Sequence, residues 1–553
     1  MLILKKGSGL RIHATGSTAE LNALNEHLKV KVNNWFFARK NRPAWDGTES
    51  FFNPRTQIFS LGLLHHVRCW LKEKNIRYAL QGSNPPLPEL KQSNLKDITL
   101  RDNQLWAINR WLQCGGIGVI VAPPGSGKTE MASAIVKHIG VRTLFVVNSL
   151  DLLMQARGRL ETRLGHKVGV LGGGEWHTEG RGVLVATIQT LTRALGAKKE
   201  AAVRELIDIK LVIYDECHHS RSAQTKKLLR FMPNANFRLG LSARPFHKYD
   251  REDLQKMTAE DVRVLDCMGP VVAEIQASDL IAENQLARPR IYLVPFESDD
   301  LNGTDRSWAK AKKTHLLENL GIVSTIVGAV KSASAAGELS LVVVGSSRRY
   351  GLNVYFKLHD AGVDVIYLHG TVDKMRREWA RRQANRGRLE AIVATVIYDE
   401  GVDLPELRQL ILAYGGLSAI KLEQRLGRSL RHKSRGQNVS IVVDFISFGN
   451  RHLRKHSLSR IRQYLEQPEF EVYLIGSKKD FPSSVMRLLG RRLRFVGQLP
   501  DRNYFMELKN ESDQGSRGVQ AMAGEKVNAV PDNRVLPKGF SDSPRKRSSS
   551  GVS

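Results

Sequence analysis

Ala122-Pro123-Pro124-Gly125-Ser126-Gly127-Lys128-Thr129 follows the apolar run Ile117 to Val121, and Asp215-Glu216-Cys217-His218 follows a second run, Leu211 to Tyr214. The first run reads as a buried parallel strand. A Gly-rich turn between such a strand and a helix wraps backbone N–H groups around phosphates at the helix N-terminus. In that arrangement Pro124, Gly125, Ser126 and Gly127 form the cradle with Glu130 just beyond, Lys128 reaches the β- and γ-phosphates, and the Thr129 hydroxyl holds Mg²⁺. The second run delivers Asp215 to the same metal and Glu216 to a position where it activates the attacking water. A single Gly-rich turn recurs by chance, but an acidic pair after a second buried strand, in this order, reads as ATP hydrolysis with ATP and Mg²⁺ as cofactors.

Apolar strands continue on either side of these two. Gly118–Ala122, 143–147, 183–187, 211–214 and 238–242 alternate with helical stretches, and a second series runs through 339–345, 364–369, 391–395, 409–413 and 440–445. Continuous apolar strands alternating with helices indicate parallel sheets covered on both faces. The fold class is therefore α/β, and ligands are expected at the carboxyl ends of the strands. The reading divides the chain into a small N-terminal α+β unit (1–84), a Pro-rich linker (85–97), a first sheet domain that binds ATP (98–285), a second (286–449), a basic helical extension (450–510) and a disordered tail (511–553).

At 553 residues the chain is too long for one core, and its formal charge of +29 points to a polyanionic partner. The tail does not own that charge: residues 511–553 carry seven basic and five acidic side chains, whereas 421–500 carry seventeen Lys/Arg against six Asp/Glu. Nucleic acid is the expected partner of that cluster. No apolar run approaches the roughly 20 residues that span a bilayer, and no signal-peptide pattern opens the chain, so no membrane partner and a cytoplasmic location are expected. The four cysteines show no CxxC pair, which argues against both a disulfide framework and a zinc site.

A motor needs its ATP site to span two bodies that open and close. Glu423-Gln424-Arg425-Leu426-Gly427-Arg428-Ser429-Leu430-Arg431 supplies arginines at three-residue spacing, read as one face of a helix, and an arginine reaching the γ-phosphate from across a cleft stabilises transition-state charge.

The set Leu100 to Gln104, the phosphate loop, Thr187-Ile188-Gln189-Thr190, Asp215 to His218, Leu241-Ser242-Ala243-Arg244, Thr395 to Asp403 and Gln424 to Arg431 resembles the ordered motif series of superfamily 2 helicases. The resemblance covers about residues 98 to 446 and implies two tandem RecA-like domains. It further implies that Gln104 reads the adenine with Arg101 in support, that Ser242 and Ala243 couple nucleotide state to domain movement, and that Asp403 with Gly401 links backbone contact to the nucleotide. Arg428 and Arg431 become the trans-acting arginines, with Gln424 among the catalytic residues. Asn148 and Thr187 touch the nucleic-acid backbone from the first domain, and Gly345, Gly370 and Thr395 do so from the second. Ala122 at the opening of the loop and Arg244 in place of the usual Thr are departures.

Residues 34–74, with Trp45-Asp46-Gly47 ahead of an apolar return strand and a helix, resemble the small N-terminal domain of phage recombination helicases of the UvsW type. By their own chemistry Trp45 is a core aromatic and Asp46-Gly47 a hairpin turn. The basic residues Arg39, Lys40, Arg42 and Arg55 around them are then the ones that would reach DNA. The resemblance implies a motor on branched or duplex DNA without sequence preference, acting on Holliday junctions, forks, D-loops and R-loops. Its implied partners include RNA–DNA hybrids and single-strand-binding or recombination proteins. An RNA helicase, a restriction-type translocase and a non-enzymatic nucleic-acid scaffold are the other readings.

Overall fold

The structure, a computed structural model, describes residues 1–33, 35, 45–82, 85–197, 200–298, 307–395, 404–416, 430–433, 435–477, 481, 486 and 492–510. Two eight-stranded sheets dominate it. The first runs, in spatial order, Glu175–His177, Gly169–Gly172, Val183–Thr187, Thr143–Val147, Leu211–Asp215, Phe237–Ser242, Ile117–Val121 and Val271–Glu274. All neighbours are parallel except the edge pair Gly169–Gly172 and Glu175–His177. Strands such as Thr143–Val147 are buried along their whole length because helices cover both faces, which is why they read as unbroken apolar runs.

The second sheet is parallel throughout: Val365–Leu368, Ala391–Ala394, Leu339–Val343, Leu407–Leu412, Val439–Ile446, Arg288–Pro295, Glu471–Ile475 and Leu493–Val496. Its last two strands come from the stretch expected to be a basic helical extension. The helix Arg451–Glu466 is present, but the chain then returns to the sheet, and Val472 and Leu474 enter its core. One basic residue there faces inward rather than toward a ligand. Arg460 is 3% exposed and its Nε lies 2.8 Å from Asp444, whose carboxylate also accepts from the Tyr464 hydroxyl at 2.9 Å.

The N-terminal unit is a five-stranded sheet, in the order Phe52–Asn53, Ile58–Ser60, Arg11–Thr15, Leu2–Lys6 and Tyr78–Gln81, with helices Thr18–His27 and Leu64–Glu73. A separate hairpin pairs Lys29–Lys31 with Thr48–Ser50, and Trp45 Nε1 donates to the Thr48 carbonyl at 2.8 Å. This unit shares one apolar cluster with the domain of the first eight-stranded sheet, in which Phe59, Leu63 and Val67 join Val264, Leu265 and Met268. Glu49 bonds both Arg263, at 2.6 Å, and Lys226, at 3.2 Å. Nor is the Pro-rich stretch a free tether. Leu87 N donates to Leu112 O at 3.0 Å, Leu90 N donates to Asn109 Oδ1 at 2.8 Å, and Leu90 is buried.

Candidate functional site

The strand Ile117–Val121 ends in the phosphate loop, and the helix Lys128–Ile139 starts from Gly127 in the left-handed region at φ 84°. A Cβ on Gly127 would lie 2.2 Å from Gln104 Nε2, so glycine is required both for the turn and for the close approach. Gln104 is buried and braces the loop: its Nε2 donates to Ser126 O at 2.7 Å and its Oε1 accepts from Arg101 N at 3.0 Å. The amide expected to read adenine is thus engaged with backbone of its own domain, and the Arg101 guanidinium reaches Gln285 Oε1 at 2.9 Å. Glu130, grouped with the cradle by sequence, turns to Arg163 Nε at 2.7 Å.

Lys128 Nζ lies 3.2 Å from Ala122 O and 3.6 Å from Glu216 Oε1, which brings the two motifs separated by 88 positions into one site. Glu216 follows the strand Leu211–Asp215 at φ 52°, ψ 54°, a left-handed conformation that costs a non-glycine residue roughly 1–3 kcal/mol. Its Oε2 is 3.3 Å from Ser242 Oγ and 3.4 Å from His218 Nδ1, and His218 Nδ1 is 3.1 Å from Ser242 Oγ. Burial and the neighbouring Glu216 charge push the Asp215 carboxyl up. At Glu216 burial pushes the same way, but Lys128 and His218 outweigh it and hold the carboxyl well below its ordinary range. Burial lowers His218. The sequence reading gave His218 no task; its fourth place in the acidic motif was the available signal.

The site fits a magnesium nucleotide. Ser126 Oγ is buried with no hydrogen-bond partner among the described residues, inside a loop whose glycines bring its backbone close. Thr129 and Asp215 offer the hard oxygen ligands that Mg²⁺ takes, and few of them, as expected for an ion that shares its shell with phosphates and water. Among the described residues no group of three or more His, Cys, Asp or Glu forms another metal site.

The second domain meets this loop through Leu286, on which Arg431 pairs. Leu286 and Arg431 form an antiparallel bridge, Ala287 N donates to Leu430 O at 2.7 Å, and a Cβ on Gly125 would lie 2.7 Å from Leu286 Cδ2. Arg431 therefore sits in extended backbone and not on the helix read from its spacing. Burial, with Arg159 beside it, holds its guanidinium down, to about 10. Arg159 also acts on Asp215, and sequence reasoning missed it; its helix, Leu150–Leu164, carries Arg159 and Arg163 four residues apart behind the phosphate loop. Gln424, Arg425, Arg428, Gly401 and Asp403 lie outside the described residues, as do Arg39, Lys40 and Arg42 and the tail from 511.

The expected backbone contacts fall in rows. Asn148 and Thr187 follow the adjacent parallel strands Thr143–Val147 and Val183–Thr187. Gly345, Gly370 and Thr395 follow Leu339–Val343, Val365–Leu368 and Ala391–Ala394, which are also neighbours. Not every side chain in these rows is open. Thr187 is buried and caps the helix Ile188–Gly196 by accepting from Thr190 N at 3.3 Å, and Asn148 Oδ1 accepts from Tyr214 OH at 3.2 Å. Thr395 is 6% exposed, whereas Gly370 is exposed. Between the rows, Arg377 NH1 of the second domain lies 3.0 Å from Asp151 Oδ2 of the first.

Two family models match: "Type III restriction enzyme, res subunit" over residues 97–247 and "Helicase conserved C-terminal domain" over 321–433. Among curated proteins, the chain is 26% identical over 411 residues to the DNA 3'-5' translocase XPB2 of Sulfurisphaera tokodaii, covering 68% of this chain and 87% of that protein. It is 29% identical to a putative DNA 3'-5' helicase Rad25 of Haloarcula marismortui, covering 64% of this chain and 55% of that one. The ATP-dependent DNA helicase uvsW of Enterobacteria phage T4 is 21% identical over 279 residues, with 46% of this chain and 53% of that protein covered. Among solved structures, the DUF1998 helicase MrfA bound to DNA superposes with a TM-score of 0.51 at 14% identity, covering 68% of this chain and 50% of that one, which speaks to the fold alone.

Proposed function

We propose that this chain, which is an ATP-dependent helicase of superfamily 2, is a DNA translocase that remodels branched DNA such as Holliday junctions, forks and D- or R-loops. The observation that carries the reading is the junction of Gly125, Leu286 and Arg431. A nucleotide in the phosphate loop would touch both motor domains, so binding and hydrolysis would open and close the cleft between two rows of backbone contacts. Lys128 and Asp215 would hold the phosphates and Mg²⁺, which supplies charge neutralisation at the transferring phosphoryl group. Glu216, kept ionised, accepts a proton from water, and Ser242 with His218 orients its carboxylate.

DNA as substrate is supported by the names of the curated relatives and by the charge of +29. Choice of branched DNA rests on the N-terminal unit, which is bolted to the first domain through Glu49 and would move with it. Backbone contacts carry no base information, so selection would be by shape.

The test is ATP-dependent dissociation of a labelled four-way DNA junction with homologous arms, beside an RNA duplex of matched length, with Glu216→Gln as the inactive control. Preferential dissociation of the junction is the expected result. Preference for the RNA duplex would leave the motor standing and remove the branched-DNA role.

A further inference from the structure

The helix Lys374–Asn385 begins four residues beyond Gly370, at the carboxyl edge of the second sheet. It carries five basic side chains against one acidic. Ala380 and Ala384 seat one face on the sheet core, and Arg377 leaves the same side to bond Asp151 across the cleft. On the opposite face, Met375 is 82% exposed and Trp379 48% exposed. They are four residues apart and so lie one above the other. Arg382 and Arg386 continue that stripe, and both are exposed. Glu378, the helix's acidic residue, is bonded by Arg381 at 2.6 Å and lies 3.8 Å from Arg382 Nε, so one carboxylate is shared by two guanidinium groups and the stripe, with Arg386, keeps a positive balance.

The helix is rigidly seated, yet it holds a large aromatic ring in water with guanidinium groups along the same line. Aromatic rings interleaved with cations are what a single strand of nucleic acid meets on its binding proteins: rings stack on bases, and cations take the flanking phosphates. We propose that Met375 and Trp379 form a base-stacking platform for unpaired DNA beside Gly370 at the edge of the second sheet, with Arg382 and Arg386 on the adjacent phosphates. The occupant is a single strand rather than a duplex, because a stacked ring needs an open base face, and rather than an apolar protein surface, because the stripe is cationic beyond Trp379. The assignment rests on the nucleic-acid reading above. It adds a contact that senses whether a base is unpaired, which the backbone rows do not.

The test compares the full chain with Trp379→Ala and Trp379→Phe for binding to a labelled single strand of about 20 nucleotides and to the same backbone with the central bases removed. Trp379→Ala should weaken binding to the intact strand on the order of tenfold, Trp379→Phe should restore most of it, and all three proteins should bind the abasic strand alike. ATP hydrolysis without nucleic acid should be unchanged. Equal binding of the intact strand by the Ala variant would overturn this platform alone, as would an equal loss on the abasic strand. Failure of the unaltered chain to bind any DNA would overturn the nucleic-acid reading and the platform with it.

Discussion

Lys433 is 3% exposed, and its ammonium donates to Pro405 O at 3.3 Å. Burial, with Arg408 and Arg431 nearby, pushes it down to about 7. A lysine held below its ordinary value near 10.4 costs stability, because the folded state disfavours the charged form. That cost is fully present below pH 7 and fades as pH rises through the window up to the unfolded value. Lys433→Met should therefore stabilise the protein at pH 7, on the order of 2 kcal/mol, and by clearly less at pH 9.5. Denaturant unfolding at the two pH values measures this, and an equal change at both would contradict it. Other residues at this scale divide by how local their chemistry is. The meeting of Lys128 with Glu216 was legible because a phosphate loop and an acidic pair are short patterns tied to strand ends. The tasks of His218, Arg159 and Gln104 were not, because each depends on a partner far away in sequence: Ser242 for His218, Asp215 and Arg431 for Arg159, and Ser126 for Gln104.

Among the elements, the helix Ala259–Met268 shows how the N-terminal unit is attached. Gly62 stands where a Cβ would lie 2.0 Å from Leu265 O, and Ser60 Oγ donates to Asp266 O at 2.6 Å. Gly62→Ala must push the N-terminal sheet off this helix, and overpacking of that kind costs about 1–3 kcal/mol. Its thermal midpoint should fall, and limited proteolysis should cut within residues 1–84 before the motor domains. An unchanged midpoint and cleavage pattern would show that the two units are not packed as one body. The motor strands were legible because both faces of each are covered, leaving an apolar run of strand length. Glu471–Ile475 and Leu493–Val496 were not. They are short, partly exposed, and set among basic residues that draw the eye toward ligand binding, while the force holding them is pairing at a distance in sequence: Glu471–Ile475 lies on Arg288–Pro295, and Leu493–Val496 lies on Glu471–Ile475.

For the molecule as a whole, the proposal is that two domains complete one ATP site. The first holds the loop, Lys128 and the acidic pair; the second would bring Arg431, carried on extended backbone against Leu286, whose side chain lies beside Gly125. The order of motifs announced two domains facing one nucleotide. It did not announce the bridge, since a lone backbone pairing between Leu286 and Arg431 has no sequence period. In the proposed reading this arginine completes catalysis from across the cleft. Steady-state ATP hydrolysis with saturating DNA, measured beside affinity for a fluorescent ATP analogue, tests it in Arg431→Ala. Turnover should fall on the order of a thousandfold with nucleotide affinity little changed. Turnover close to that of the unaltered chain, in a variant that remains folded, would contradict it.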